Sequence, residues 1–265
     1  MIARSFLILS ASIFMAGSAP ALAGTFTFAN TNAIIINDST NPPTVASPYP
    51  STNVVSGLNG SLITKVTVQL FGFAHEFPSD VAILLVGPEG QNSILMANVG
   101  GSTKMPVTNI DLTFDDDAAS YLPLESQIVS GTYKPTTNTF SFPFPPPAPS
   151  TNQIMGAFLG SFKGTEPNGV WNLFVVDDYP SDSGVITGGW SLTITTTPVL
   201  LSIAHSQTNA VLSWTNAATG YTLQTTPSLA PAAWTNVNIA PVIVSGYYTV
   251  TNAVTNKTMF YRLAK

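Results

Sequence analysis

An all-β fold is predicted by three features of the sequence. Only 8% of the 265 residues are charged while 45% are hydrophobic, and there are 21 prolines and 19 glycines. Thr, Asn, Ser, Gly and Pro replace the Lys, Glu and Arg that favour helices. Finally, the apolar residues alternate: Trp190, Leu192 and Ile194 interleave with Ser191, Thr193 and Thr195, the period of a strand with one buried face.

Residues 169–194 are the most informative stretch. Their first strand, 171–176, sets Trp171, Leu173 and Val175 against Asn172, Phe174 and Val176, so both faces are apolar enough to be covered. The second spans 190–195. Between them lies an acidic, turn-rich loop with Asp177, Asp178, Pro180 and Asp182.

Residues 1–23 have the layout of a secretory signal: Arg4, an apolar core over 6–16, and Ala21-Leu22-Ala23 as cleavage site. The apolar run is too short for a membrane span, so export without membrane insertion is expected. The destination is then the extracellular space, cell surface or periplasm. With no cysteine, disulfides, thiolate metal sites and thiol nucleophiles are excluded, and core burial, aided by bound cations, is left to stabilise the fold.

All thirteen acidic residues lie between Asp38 and Asp182, accompanied only by Lys65, Lys104, Lys134 and Lys163. Beyond Pro198 there is no acid, only Lys257, Arg262 and Lys265. This asymmetry predicts two modules, 24–196 and 197–265, and opposes a nucleic-acid partner, since the larger module repels phosphate.

Along the chain, residues 24–60 predict one edge strand and an irregular, Pro-rich lead-in. A half-buried strand follows from Ser61 to about Leu70, then the apolar run 81–86, which stops at the turn Gly87-Pro88-Glu89-Gly90. Further strands are expected at 93–96 and 110–114. The proline-dense stretch 130–149 predicts an extended surface loop. Residues 155–162 suit a short helix or a strand equally, and Thr195 to Pro198 reads as a linker. Short strands at 211–214, 221–224, 247–250 and 260–263, with turn signals between them, suit a small sandwich.

Two stretches resemble the P domain (P/Homo B domain) that accompanies proprotein convertases and secreted subtilisin-like proteases. The first is His75-Glu-Phe-Pro-Ser-Asp80 followed by an apolar strand ending in Pro88-Glu-Gly90. The second is Gly169-x-Trp171-x-Leu173-x-Val175-x-Asp177, then Gly184-x-Ile186 and Trp190-x-Leu192-x-Ile194. The resemblance covers roughly 50–196 and implies a jelly-roll β-sandwich with His75, Pro88, Gly90, Trp171, Gly184 and Trp190 as its structural signature. It further implies an accessory role beside a protease, although no protease motif precedes it here. Leu212-Ser-Trp214, Tyr221-x-Leu223, Trp234 and Phe260-Tyr-Arg-Leu263 resemble fibronectin type III-like modules of secreted bacterial proteins.

Catalysis finds little support. Only His75 and His205 exist, one per module, and no Gly-x-Ser-x-Gly elbow occurs. His75 suits a structural hydrogen bond to a nearby turn or to Asp80. A zinc site lacks ligands, and Glu76, Glu89, Glu125 and Glu166 have no evident pairing for glycoside hydrolysis. The chemistry best supported is a calcium site drawing on Asp80, Asp115, Asp116, Asp117, Asp177, Asp178 and Asp182, because calcium takes several hard oxygens from flexible loops. Adjacent aspartates also require a compensating cation or base. Glycan binding is the alternative, on loop aromatics among Tyr49, Tyr121, Tyr133, Phe140, Phe142, Phe144 and Tyr179. The expected function is therefore a secreted, non-catalytic accessory or binding protein acting on another secreted or cell-surface protein, with an unrecognised hydrolase as the weakest reading.

Overall fold

The computed structural model describes residues 23–138, 144–206, 209–218, 220–253 and 258–265. The expected signal segment, except Ala23, lies outside the described residues, as do Phe140, Phe142 and Lys257. The regular structure of the described chain is almost entirely β-strand, joined by loops and single 3₁₀ turns. Among the described residues no helix is long and apolar enough to cross a membrane. The chain forms two compact units that divide between Pro198 and Val199.

Among its described residues the larger unit holds thirteen strands. They are β1 (Gly24–Asn30), β2 (Ile34–Ile36), β3 (Thr44–Val45), β4 (Ser51–Val55), β5 (Ser61–His75), β6 (Val81–Val86) and β7 (Asn92–Ala97), followed by β8 (Val107–Phe114), β9 (Gly131–Tyr133), β10 (Thr136–Thr137), β11 (Gly169–Asp177), β12 (Gly184–Ile186) and β13 (Trp190–Pro198). One sheet is built on β5, flanked by β8 on one edge and by β13 and β12 on the other, with β1, β2 and β9 outermost. The second runs β10-β7-β6-β11, with β3 and β4 sharing the outer edge of β11. Between β5 and β8, neighbours in the first sheet, the chain crosses to make the β6–β7 hairpin of the second. This sheet-switching connection is of the jelly-roll kind.

Residues 24–60, expected to yield one strand and an irregular lead-in, instead form four. The difference is tertiary: β1 pairs along its whole length with β13, and β4 pairs with β11, partners more than a hundred residues away that no local pattern discloses. For the same reason Thr195 to Pro198 is strand, paired back to β5 across a bulge, and not a linker.

The core lies between the sheets. Val66, Val68, Leu70, Leu192 and Ile194 face Ile83, Leu85, Leu173 and Val175 from the opposite sheet, all essentially inaccessible. Trp171 and Trp190 are fully buried. Each also satisfies its indole N–H: Trp171 Nε1 donates to the Pro167 carbonyl at 2.9 Å, and Trp190 Nε1 to Ser51 Oγ at 3.0 Å, so burial leaves no orphan donor.

The alternate residues of β6 and β11 (Ala82, Leu84, Val86, Phe174, Val176) are buried too, in a second cluster on the sheet's outer face. Its cover is the Pro-rich segment. Phe144 is buried there, with Tyr49, Ala148, Ile154 and Ala157 packed alongside. Tyr49 donates from Oη to the Pro145 carbonyl at 2.8 Å and meets Phe174 edge-on at 5.1 Å between ring centroids. The segment expected to be a surface loop instead gives β9 and β10 to the sheets at its start and, over residues 144–149, forms a third layer; its prolines keep that part out of a sheet but let it lie across one. Residues 155–162 resolve into irregular chain ending in a 3₁₀ turn, Leu159–Phe162, which delivers Phe162 against Trp171 at 4.9 Å. The outer face of the β5 sheet is polar by contrast, carrying cross-strand threonine pairs Thr25–Thr195 and Thr27–Thr193 at 3.0 and 2.9 Å.

Among its described residues the C-terminal unit has seven strands: β14 (Ser202–Ser206), β15 (Asn209–Thr215), β16 (Thr222–Thr226), β17 (Thr235–Asn236), β18 (Val242–Val244), β19 (Tyr247–Ala253) and β20 (Phe260–Ala264). They form two sheets, β14-β15-β19-β18 and β17-β16-β20. Its buried apolar side chains are few: Ala210, Leu212, Trp214, Ala218, Leu223 and Val250.

Truncation of Trp171 to alanine is expected to destabilise the larger unit by about 3–5 kcal/mol, read as a lower denaturant midpoint at unchanged m-value. Val170→Ala on the same strand, at an exposed position, is expected to change stability by less than about 0.5 kcal/mol.

Candidate functional site

One end of the larger unit gathers most of the candidate residues. β5 ends at His75 and β11 ends at Asp177, one in each sheet, and His75 Nε2 lies 3.1 Å from Asp177 Oδ2 with both side chains buried. The N–H of Phe77 donates to His75 Nδ1 at 3.1 Å. An acceptor at Nδ1 places the ring proton on Nε2, so the imidazole donates to Asp177 across the sandwich. His75 therefore does bond the nearby turn, but its carboxylate partner is Asp177 rather than Asp80.

Gly184 makes this packing possible. β12 lies antiparallel to the end of β5 with Gly184 opposite His75, and a Cβ at 184 would stand 2.3 Å from His75 Cδ2 and 2.4 Å from the Ala74 carbonyl oxygen. Gly169, at φ +133°, has the same relation to Pro88, whose Cβ would be 2.5 Å from an added methyl. These signature glycines mark close approaches of one strand to another. Pro88 and Gly90 (φ +88°) turn the β6–β7 hairpin.

Around the His75–Asp177 bond the chain stacks carboxylates. Asp80, Asp178 and Asp182 are all more than nine-tenths buried. The Asp178 N–H donates to the Asp80 carbonyl at 2.8 Å, joining the two acidic loops, and Asp177 Oδ1 accepts from the Tyr179 N–H at 3.0 Å. Loop 178–183 hangs from two more carboxylates: Asp38 Oδ1 accepts from Ser181 N–H at 2.9 Å and Glu76 Oε2 from Ser183 N–H at 3.2 Å. Asp182 pairs with Lys104. Asp80 Oδ2 is buried without a hydrogen-bond partner.

The electrostatics follow from this crowding. Burial, reinforced by the charges of Asp177, Asp178 and Asp182, pushes the Asp80 carboxyl up to about 7, with His75 acting in the opposite sense. Burial and then Asp177 push Asp178 up to about 6. Desolvation disfavours the ionised form, and like charges add to it.

The aspartate triplet belongs elsewhere. Lys65 Nζ reaches Asp115 Oδ1 at 2.9 Å and Asp117 Oδ2 at 2.7 Å. Asp116 accepts the Leu159 and Gly160 N–H groups at 2.8 and 2.7 Å, closing the start of the 3₁₀ turn. The base beside the adjacent aspartates is Lys65, so the seven aspartates divide into a buried corner (Asp80, Asp177, Asp178, Asp182) and a triplet held by Lys65 and two backbone N–H groups. Among the described residues, no group of three or more His, Asp or Glu side chains stands in metal-holding geometry.

No family model, curated protein or solved structure matches the chain. The side chains themselves must carry the reading.

The four glutamates stand in four different loops, and two have evident local duties: Glu76 on Ser183, and Glu125 on the Ser102 hydroxyl at 3.0 Å. His205 lies on β14, in the other unit. Of the loop aromatics, Phe144 is core, Tyr49 pins the Pro-rich segment, and Tyr133 packs on the core with its hydroxyl on the Val129 carbonyl at 3.1 Å. Tyr121 and Tyr179 are exposed, Tyr121 beneath Lys134 at 5.5 Å. Lys104, Asp38 and Glu76 complete the corner. Nothing in their local pattern marks them, since each acts on a loop distant in the chain.

Asp80 holds its proton more tightly folded (about 7) than unfolded (about 4). Its contribution is therefore unfavourable above pH 7, fades as the pH falls, and is gone below the unfolded value. In chelator, the melting temperature of the larger unit should rise as the pH is lowered from 8 to 5. Asp80→Asn should remove part of that slope and stabilise the protein at pH 8 by on the order of 2 kcal/mol. An unchanged slope in the variant would show that Asp80 is not the group responsible.

Proposed function

We propose that this chain is an exported, non-catalytic accessory or binding protein, built on a P-domain-like sandwich whose acidic corner takes up calcium. The observation that carries the reading is the buried corner itself, where Asp80 presents an unpartnered oxygen beside three further carboxylates. A corner whose carboxylates resist ionisation is stabilised by whatever supplies positive charge. Calcium suits it because the candidate donors are hard oxygens on loops that can shift. Asp80, Asp178 and Asp182 do not stand in metal-holding geometry without the ion; to hold it their loops would have to close together and Lys104 leave Asp182, while Asp177 stays engaged with His75. The bound ion supplies charge and loop rigidity; no reaction is assigned to it.

Two arguments favour a non-catalytic role. Both nitrogens of His75 are committed to hydrogen bonds, which leaves it no free lone pair with which to activate a nucleophile. The core Trp residues, Gly184 and the Pro88 hairpin all perform packing tasks, which is what a P-domain-like signature implies. The C-terminal unit, with seven strands in sheets of four and three, favours a small fibronectin type III-like module. The partner expected for such a protein is another secreted or cell-surface protein, a separately encoded subtilisin-like protease being the leading class.

Two experiments test this. Calcium at millimolar concentration should raise the melting temperature at pH 7.5 by about 5–10 °C, the effect of a ligand at roughly a hundredfold excess over its Kd on a domain of this size; magnesium should do less, and Asp80→Asn should abolish the gain. Absence of any rise removes calcium from the account. Separately, the mature protein used as bait should retain a defined secreted protein. Hydrolysis of generic peptide, ester or glycoside substrates by the purified chain would overturn the non-catalytic reading.

A further inference from the structure

The acidic corner also brings an amine against a carboxyl group. Lys104 lies in the loop between β7 and β8, and Asp182 in the loop between β11 and β12. β8 and β12 pair with β5 on its two opposite edges, and Val107 and Gly184 both stand opposite His75. The contact of Lys104 Nζ with Asp182 Oδ1 therefore bridges two loops across the end of β5. It differs from the ion pairs of Lys65 in two respects. The Asp182 side chain is only 8% exposed. Its Oδ1 also has no hydrogen-bond partner among the described residues, so the amine touches the carboxylate off the line along which it would donate, whereas Lys65 donates to Asp117 at 2.7 Å.

A proton carrier stands beside this pair. Lys104 interacts electrostatically with Asp182, then with Glu76 and Asp80. Glu76 is occupied by the Ser183 N–H. Asp80 is more than nine-tenths buried, and its Oδ2 has no hydrogen-bond partner among the described residues. An amine held on a carboxyl group, with a second carboxyl able to move a proton between them, has the components of an amide condensation.

We propose that Lys104 and Asp182 condense into an isopeptide cross-link. Nζ gives one proton to Asp80 and attacks Cγ of Asp182. An oxygen of the Asp182 carboxylate then leaves as water, taking that proton back from Asp80 and a second one from the nitrogen. Ammonium and carboxylate are thus converted to a neutral amide and one water, with no oxidant and no co-reactant. Condensation is unfavourable between free groups in water, but fixing the two in contact supplies an effective concentration of about 10⁵ M or more. The burial of Asp182 keeps water from reversing it. In a chain without cysteine the bond does the work of a disulfide, independently of redox conditions.

The proposal does not rest on the calcium reading, in which the ion draws Lys104 away from Asp182, and working in chelator separates the two. The full mature chain, incubated in chelator at mildly alkaline pH, should become lighter by one water in intact-mass spectrometry. Trypsin should then fail to cut after Lys104, leaving its peptide joined to the one that carries Asp182. Lys104→Arg, which keeps the charge, should retain the full mass and melt about 10 °C lower, the loss expected when a loop this long is no longer closed. Asp182→Asn should still cross-link, releasing ammonia in place of water. Asp80→Asn should slow the reaction about a hundredfold. An unreduced mass after prolonged incubation, the same loss of water in Lys104→Arg, or normal cleavage after Lys104 would each overturn the proposal. Cross-linking of Asp80→Asn at the unaltered rate would overturn the role given to Asp80.

Discussion

The hydrogen bond between His75 and Asp177 ties together the ends of two strands that belong to opposite sheets. Everything at that end of the larger unit is arranged around it. β12 must carry glycine at 184 so that it can lie against the imidazole, and the turn after β5 must aim the Phe77 N–H at Nδ1. β11 must run on past Val176 so that Asp177 arrives at the ring. Elsewhere in the same sandwich a second polar stitch, Trp190 to Ser51, links the β5 sheet to β4 of the other sheet. The apolar core between them supplies the driving force for burial. The stitches specify which strand faces which, since a slipped register would leave a buried donor or acceptor unpaired.

The two sheets solve the problem of their outer faces in different ways, and the composition follows from that. The β5 sheet faces outward with threonine pairs, which need neither charge nor cover. The β6–β11 sheet is apolar on both sides and takes a Pro-rich segment as its lid, fastened by Tyr49 and Phe144. A protein made this way needs few surface charges, and those it has are concentrated where loops require them: Lys65 on the aspartate triplet, and Asp38 and Glu76 on the backbone of loop 178–183. The acidic corner departs from this economy. It buries more carboxylates than Lys104 and the His75 N–H can offset, which is why it, and not the triplet, stands out as a candidate for a cation.

Much of the strand content was readable because alternation is local. Trp171, Leu173 and Val175 against Phe174 and Val176 announced a strand covered on both faces, and the structure supplies both covers. The Gly87 to Gly90 turn was equally plain from its residues. What was not readable was long-range. β1 alternates Thr25-Phe26-Thr27-Phe28, but its place in the sheet, like that of β4, is set by a distant partner, β13 for one and β11 for the other. The lid function of the Pro-rich segment depends on Phe174, reached only in three dimensions. At the candidate site, Asp80, Asp177, Asp178 and Asp182 share one end of the larger unit because the ends of β5 and β11 bring their loops together, a grouping that the sequence, which pools them with the triplet, does not separate. The triplet Asp115, Asp116 and Asp117 had the stronger compositional signal and the more ordinary fate, since Lys65 lies on the neighbouring strand and two free N–H groups lie above Asp116.

His75 is a structural donor fixed between the two sheets, and the position of its ring proton is open to direct observation. Two-bond and three-bond ¹H–¹⁵N correlation spectra of ¹⁵N-labelled protein report which ring nitrogen carries the proton. At neutral pH the account predicts a single, slowly exchanging His75 proton on Nε2, with Nδ1 unprotonated and accepting from Phe77. A ring protonated on Nδ1 alone, or one whose tautomers interconvert freely as in an exposed histidine, would contradict it.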